Sequence, residues 1–224
     1  MKGKARMASL FKICQVCMMM TALLVLVGTA NAQLSNAGFE NGLTSWTPFN
    51  FAFCLGTGTG ASGTMASGSP YSGLNVLQAY GPFTGGWDAS GVQQDIATTA
   101  GASWTLTAYG MNPSGDAMST SGLGFGEIQL AWIDSGGGTI AVVESSHIDN
   151  SVALQDQWQA LSASGVAPSG TVAVRVIALH VGGPDYAGGS AYFDNLVAVP
   201  EPSSIALVVS GLLGLWMVSR KRRM

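Results

Sequence analysis

Few side chains between the two ends of this chain could perform acid–base or nucleophilic chemistry. All twelve Asp and Glu residues lie between Glu40 and Glu201, and the only histidines are His147 and His180. Neither histidine stands in a pattern typical of a nucleophile site, and neither Gly-x-Ser-x-Gly nor His-Glu-x-x-His occurs. Two carboxylates can hydrolyse a glycosidic bond, but their separation in space cannot be read from sequence. We therefore expect a protein that is not an enzyme, with a small glycan hydrolase as the minor alternative.

One glycine-rich stretch, Gly81-Pro82-Phe83-Thr84-Gly85-Gly86-Trp87-Asp88, carries side chains suited to sugar binding. Exposed aromatic rings can stack on the faces of pyranose rings, while a carboxylate can accept hydrogen bonds from hydroxyls at the rim. The predicted ligand-binding residues are Tyr80, Phe83, Trp87 and Asp88, with Tyr186 in a similar setting. The alternative is that these rings only pack within their loops. Four other tryptophans lie in strand-like patterns and are predicted to be core residues: Trp46, Trp104, Trp132 and Trp158.

Charge is distributed very unevenly along the chain. Eight of the nine Lys and Arg residues lie in the two terminal segments, and only Arg175 lies between them. The segment from Glu40 to Glu201 therefore carries a formal charge of −11, although the whole chain carries −3. Nucleic-acid binding depends on a basic patch that contacts phosphates, so the sequence argues against it.

The first 32 residues have the three parts of a secretory signal peptide. Lysine and arginine residues come first, an apolar run to Gly28 follows, and Ala30-Asn31-Ala32 matches the small-x-small cleavage site. Cleavage by signal peptidase after Ala32, with Ala30 and Ala32 as the small residues, gives a mature chain that begins at Gln33. The mature chain has a single cysteine, Cys54, which we expect to be a small buried side chain.

The last 26 residues have three parts in a fixed order. Pro-Glu-Pro is followed by an uncharged apolar run, Ser203–Ser219, and then by a basic cluster. The run is just long enough to approach the thickness of a bilayer core, and the cations act as a stop-transfer signal that stays in the cytoplasm. The cluster comprises Arg220, Lys221, Arg222 and Arg223, and the segment before the run comprises Val199, Pro200, Glu201 and Pro202.

This arrangement resembles the PEP-CTERM sorting signal of Gram-negative bacteria that make exopolysaccharide. The resemblance implies recognition by a membrane-embedded exosortase, cleavage near Pro-Glu-Pro, and release or re-anchoring in the outer envelope or extracellular matrix. Before processing, the protein would be held in the inner membrane by its C-terminal helix. The alternative is a plain C-terminal membrane anchor.

Residues 33–198 contain eight or nine short alternating segments separated by glycine- and serine-rich turns, without a long helical period. This pattern predicts an all-β domain, a two-sheet antiparallel jelly roll, between the signal peptide (1–32) and the sorting signal (199–224). The opening Asn36-Ala-Gly-Phe-Glu-Asn-Gly42, followed by Trp46, resembles galactose-binding-like jelly rolls, the fold of carbohydrate-binding modules of the 4/9/22 type.

That resemblance implies a structural calcium ion near the carboxylates of the opening Phe-Glu and the closing Phe-Asp, which are Glu40 and Asp194 here. The alternative is that both residues are ordinary turn or hydrogen-bonding residues. For function, the two resemblances predict an exported, non-catalytic envelope protein that binds or associates with polysaccharide. A purely structural surface protein without a ligand site is the alternative.

Overall fold

A computed structural model describes residues 34–50, 55–59, 69–81, 84–119, 123–185 and 188–201. Residues Ala32–Glu201 form one compact unit. The predicted signal peptide, the predicted transmembrane helix and its basic cluster lie outside the described residues, as do Phe83, Tyr186 and Cys54. None of the helices within the described ranges is long and apolar enough to cross a membrane.

The described residues form two antiparallel sheets of five strands each. Sheet A has the order β1-β4-β9-β6-β7, and sheet B has the order β2-β3-β10-β5-β8. The strands are β1 (Thr47–Asn50), β2 (Leu55–Thr59), β3 (Asn75–Tyr80), β4 (Asp88–Ala97), β5 (Ser103–Met111), β6 (Phe125–Ile133), β7 (Thr139–Glu144), β8 (Gln159–Val166), β9 (Ala173–Gly182) and β10 (Ser190–Pro200). This arrangement confirms the predicted all-β sandwich.

Alternation along the strands explains why the sheets pack face to face. In β5, Trp104, Leu106 and Ala108 are buried in the main core, while the residues between them point to the outer face of sheet B. Because successive side chains in a strand point to opposite faces, the apolar residues of every second position form one inner layer. The main core is therefore the contact between the inner faces of the two sheets. Trp46, Trp104 and Trp132 are buried in it, as predicted.

The last strand changes its alternation at one residue. The register of β10 against β5 shifts between Asp194 and Val197, and Asn195 adopts a positive φ of 52°. Such a bulge inserts an extra residue, so Asp194 points outward and Leu196 points into the core. The backbone N–H of Leu196 donates to the carbonyl of Ala37, which ties the bulge to the start of the domain.

Two strands and one strand end differ from the sequence prediction. β1 and β2 were not predicted. The last strand was expected to end at Ala198, but it continues through Pro200. The first two residues assigned to the sorting signal, Val199 and Pro200, are therefore part of sheet B.

A glycine at the contact between the sheets gives a test of the packing. A Cβ atom at Gly126 in β6 would lie 2.5 Å from the Cβ of Ala191 and 2.8 Å from the Cδ1 of Ile148. We expect Gly126→Ala to lower the free energy of unfolding by about 1–3 kcal/mol, measured by urea denaturation, because the sheets must move apart. Gly86→Ala is the control, since the nearest atom to its Cβ would be 3.8 Å away. Equal stability of the two variants would contradict this packing.

Candidate functional site

Trp87 is the most exposed aromatic side chain in the part of the chain that the structure describes. It precedes β4 directly and is 63% exposed, whereas Trp46, Trp104 and Trp132 are between 1% and 5% exposed. Tyr80, at the end of β3, is half-buried, and Phe83 lies outside the described residues. Of the predicted sugar-binding residues, the structure therefore brings Tyr80, Trp87 and Asp88 to one end of the sandwich.

Asp88 is the first residue of β4 rather than a loop residue, and its two carboxylate oxygens have different environments. The Oδ2 atom accepts hydrogen bonds from the hydroxyl and the backbone N–H of Thr84. The Oδ1 atom is buried and has no hydrogen-bond partner among the described residues. Asp88 lies opposite Gly182 of β9, where any side chain would collide with the carboxylate.

His180 lies near Asp88 on the inner face of sheet A, where the apolar core ends. Its side chain is 1% exposed, and neither ring nitrogen has a hydrogen-bond partner among the described residues. Gly81 and Gly124 lie against its ring. Burial lowers the pKa of His180 to about 4, with the nearby charge of Asp88 acting in the opposite direction. The imidazole is therefore neutral at pH 7 and offers one hydrogen-bond donor and one acceptor.

These atoms form a polar end to an otherwise apolar interior. Three of the four buried side-chain atoms without a hydrogen-bond partner in the described residues belong to Asp88 and His180. Sequence reasoning identified Asp88 but missed His180, because its position depends on the register between β4 and β9. We call Tyr80, Thr84, Trp87, Asp88 and His180 the loop-end site.

The two carboxylates predicted to bind calcium lie close to each other. Glu40 accepts hydrogen bonds from the backbone N–H groups of Leu74 and Asn75, at 3.0 and 3.2 Å. Asp194 accepts from the backbone N–H groups of Ser72 and Asn195, at 2.8 and 2.6 Å. Both residues therefore hold the segment before β3, and Glu40 does so from the opening turns of the domain.

The electrostatics of this pair are compatible with a cation. Burial raises the pKa of Asp194, the hydrogen bonds from Ser72 and Asn195 lower it, and the nearby charge of Glu40 raises it further. Ca²⁺ binds carboxylate and carbonyl oxygens, so two adjacent carboxylates are suitable ligands. Within the described residues, however, no group of three or more His, Cys, Asp or Glu side chains is placed to hold a metal ion. Further ligands could be backbone, amide or hydroxyl oxygens, or water.

Sequence reasoning missed an acidic residue on the outer face of sheet A. Glu127 in β6 is 2% exposed. Its Oε1 atom accepts a 2.7 Å hydrogen bond from the side chain of Gln129, and its Oε2 atom lies 3.5 Å from the Nε2 of His147. The ring of His147 stacks on Phe125 with centroids 3.6 Å apart. The sequence offered no indication of this cluster, because outer-face residues are usually exposed.

The pKa of the Glu127 carboxyl group is strongly raised. Burial raises its pKa to about 7; the hydrogen bond from Gln129 lowers the pKa, and the charge of Glu144 raises it. A carboxyl group that exchanges its proton near neutral pH can act as an acid or a base. The sequence around Glu127 has no pattern that indicates such a group.

Trp158 was predicted to be a core residue, but it lies outside the main core. It is half-buried and packs on a separate cluster on the outer face of sheet B that contains Val76, Met111 and Tyr192. Its indole N–H donates to the carbonyl of Ser69 at 2.9 Å. It also contacts Tyr71, edge to face, with ring centroids 6.1 Å apart. The residue is therefore an outer-face packing residue.

Comparison with protein families identifies a single segment. Residues 198–223 match the family model described as the PEP-CTERM protein-sorting motif. The motif implies that the protein is exported and directed to the cell surface. No curated protein has a sequence that matches this chain.

Comparison with solved structures finds β-sandwich proteins of low sequence identity. A cyclase from Fischerella sp. TAU is 17% identical with a TM-score of 0.53, over 75% of this chain and 96% of that chain. The enzymatically active domain of tailspike protein 4 of bacteriophage CBA120 is 13% identical with a TM-score of 0.52, over 75% of this chain. The match spans only 21% of the tailspike chain. These likenesses support the fold alone.

The structural neighbours also include carbohydrate-binding modules. One is TmCBM61, solved in complex with β-1,4-galactotriose, which is 15% identical with a TM-score of 0.48. The match covers 75% of this chain and 97% of that module.

The buried carboxyl group of Glu127 predicts a pH dependence of stability. The folded protein keeps this proton up to a pH of about 7, whereas the unfolded chain loses it near the ordinary value of 4.5. Stability therefore falls as the pH rises through this window. Relative to Glu127→Gln, the wild type should lose about 1–3 kcal/mol of unfolding free energy between pH 5 and 8, measured by urea denaturation. Glu201→Gln, which alters an exposed carboxylate just after the end of β10 in sheet B, should keep the wild-type slope, and a wild-type curve parallel to that of Glu127→Gln would refute the assignment.

Proposed function

We propose that this protein is an exported envelope or extracellular-matrix protein whose β-sandwich is non-catalytic and associates with polysaccharide at the loop-end site. In this proposal the sorting motif directs the protein to an exosortase, and the sandwich carries the binding function. The host would be a Gram-negative cell with an exopolysaccharide layer.

The observation that carries the proposal is the exposure of Trp87. Burying an indole from water is strongly favourable, and this chain buries three other tryptophans almost completely. A tryptophan that remains 63% exposed next to a half-buried carboxylate is placed to stack on a ligand. Sugar rings suit this arrangement, since their faces are apolar and their hydroxyl groups can donate to Asp88.

The charges around the loop-end site favour a polysaccharide of uncharged sugars. Asp88 is part of the site, and it lies opposite Gly182, the last residue of β9. Asp185 follows three residues after Gly182 in the chain. The only lysine or arginine between residues 13 and 219 is Arg175. It makes two hydrogen bonds to Asp95, at 2.7 and 2.9 Å.

Arg175 is also too far away to assist at the loop-end site. Asp95 lies seven residues after Asp88 in the same strand, which corresponds to about 23 Å. That distance exceeds the Debye length of about 8 Å at physiological ionic strength. An anionic sugar at Trp87 would therefore meet carboxylates without a compensating side-chain cation.

Replacing the exposed indole tests the proposal. We expect the purified protein to bind at least one of four uncharged polysaccharides, namely arabinan, galactan, xylan and mixed-linkage β-glucan, in affinity gel electrophoresis. Trp87→Ala should weaken that binding about tenfold or more, because the stacking surface is removed. Its unfolding free energy should stay close to that of the wild type, since Trp87 is largely exposed.

A second exposed apolar residue provides the control for that experiment. Val152 is 71% exposed and lies in a short turn remote in sequence from the loop-end site, so Val152→Ala should bind like the wild type. Polygalacturonate and alginate serve as anionic ligands and should bind at least about tenfold more weakly than the best uncharged polysaccharide. Wild-type binding to none of the six polysaccharides would favour a purely structural role.

Calcium binding at Glu40 and Asp194 is a second part of the proposal. Its support is the repulsion between two adjacent carboxylates, which a divalent cation would relieve. An ion bound there would connect the opening turns of the domain to β10 and so stabilise the fold.

Calcium should therefore raise the thermal unfolding temperature. At a concentration 100-fold above the dissociation constant, the stabilisation would be about 2.7 kcal/mol. We expect a higher unfolding temperature in 1 mM CaCl₂ than in 1 mM EDTA, and loss of this difference in Asp194→Asn. Glu144→Gln, on the outer face of sheet A, should keep the difference. An identical melting temperature with CaCl₂ and EDTA in the wild type would rule out the proposed ion.

A further inference from the structure

The sorting motif begins inside the last strand of the sandwich. In β10, Val199 lies opposite Thr105 of β5, and Pro200 lies opposite Trp104. The backbone N–H of Glu201 donates to the carbonyl of Ser103 at 2.8 Å. Its side chain accepts a 2.6 Å hydrogen bond from the hydroxyl of Thr105. The Val-Pro-Glu part of the motif is therefore bonded into sheet B.

This end of the strand is held on one side only. Among the described residues, β10 pairs with β3 over Ser190–Phe193, and from Val197 to Pro200 it pairs with β5 alone. Proline lacks an N–H group, so Pro200 donates no hydrogen bond to the ladder. Val199 is 46% exposed, and Glu201 is also exposed. Few contacts thus oppose the separation of these residues from β5.

The residues just before the motif are held much more firmly. Phe193, Leu196 and Ala198 are at most 3% exposed and belong to the main core. Detachment that starts at Glu201 would therefore end at Ala198, where it would begin to uncover core residues. The structure thus divides β10 into a firmly buried part and a short end, Val199–Glu201, that can separate alone. We call Val199–Glu201 the strand end.

We infer that the sorting enzyme acts on this protein only when the strand end is detached from β5. An enzyme that reads Pro-Glu-Pro must reach the backbone and the carboxylate of Glu201, and both are engaged by Ser103 and Thr105 in the folded sandwich. Processing then takes place either before the strand end pairs or after it separates, while the core stays folded. This inference rests on the proposed processing by an exosortase, and it is independent of the polysaccharide ligand.

A reversible crosslink between the strand end and β5 tests the inference. The substitutions Val199→Cys and Thr105→Cys, in a full-length chain that also carries Cys54→Ser, place two thiols at opposed positions. Hydrogen-bonded antiparallel pairs have Cα atoms about 5.5 Å apart, which suits a disulfide. Membranes that contain the precursor and the native sorting enzyme would be incubated with and without dithiothreitol. Intact-mass spectrometry then measures the cleaved fraction and confirms the crosslink.

A matched control uses the same position in β5. Thr105→Cys with Ser164→Cys removes the same hydroxyl group but links β5 to β8, because Thr105 also lies opposite Ser164. This pair leaves the strand end free. A third variant, Thr105→Ala, removes the hydroxyl that holds Glu201 without introducing a crosslink.

We expect the oxidised Val199–Thr105 crosslink to reduce cleavage at least about tenfold, and dithiothreitol to restore it. The oxidised control should be cleaved like its reduced form, and Thr105→Ala should be cleaved at least as fast as the wild type. Equal and substantial cleavage of the oxidised and reduced Val199–Thr105 variant, or slower cleavage of Thr105→Ala than of the wild type, would overturn the inference. If the wild type itself is not cleaved near Pro-Glu-Pro, then the proposed processing is wrong, whatever the state of the strand end.

Discussion

The apolar contact between the two sheets is the constraint on which the rest of the structure depends. The long strands give alternate residues to this contact, which leaves the outer faces and the ends of the sandwich for polar groups. The exceptions are informative: His180 lies on the inner face where the apolar layer ends, and Asp88 closes that end. The same constraint divides β10, because Ala198 is part of the core and the residues after it are not.

The sequence predicted most of the fold because its strands alternate clearly. β5, β6 and β9, for example, have apolar residues at alternate positions. β1 and β2 were missed because they are short and are held mainly by pairing with β4 and β3. The extension of β10 was missed because proline suggests the end of a strand, although a proline is tolerated where its N–H is not required.

The candidate site was only partly predictable, because local sequence indicates exposure but not which strands lie side by side. Trp87 and Asp88 could be identified from their glycine-rich surroundings, which predict exposure. The ring nitrogens of His180, which have no hydrogen-bond partner among the described residues, could not be identified, because the burial of this side chain follows from the register of three strands. The burial of Glu127 on an outer face likewise depends on its neighbours His147 and Gln129. The proximity of Glu40 and Asp194 was expected from a family resemblance, and the structure brings both to the segment before β3.

Nuclear magnetic resonance of the indole N–H groups tests the central claim, that an exposed tryptophan at the end of the sandwich binds an uncharged sugar chain. The chain has six tryptophans, so each indole signal can be assigned by single substitutions. On titration with an uncharged oligosaccharide of the best-bound type, the Trp87 signal should move, while those of the buried Trp104 and Trp132 should not. Movement of the Trp158 signal with no change at Trp87 would contradict the account and place the ligand on the outer face of sheet B.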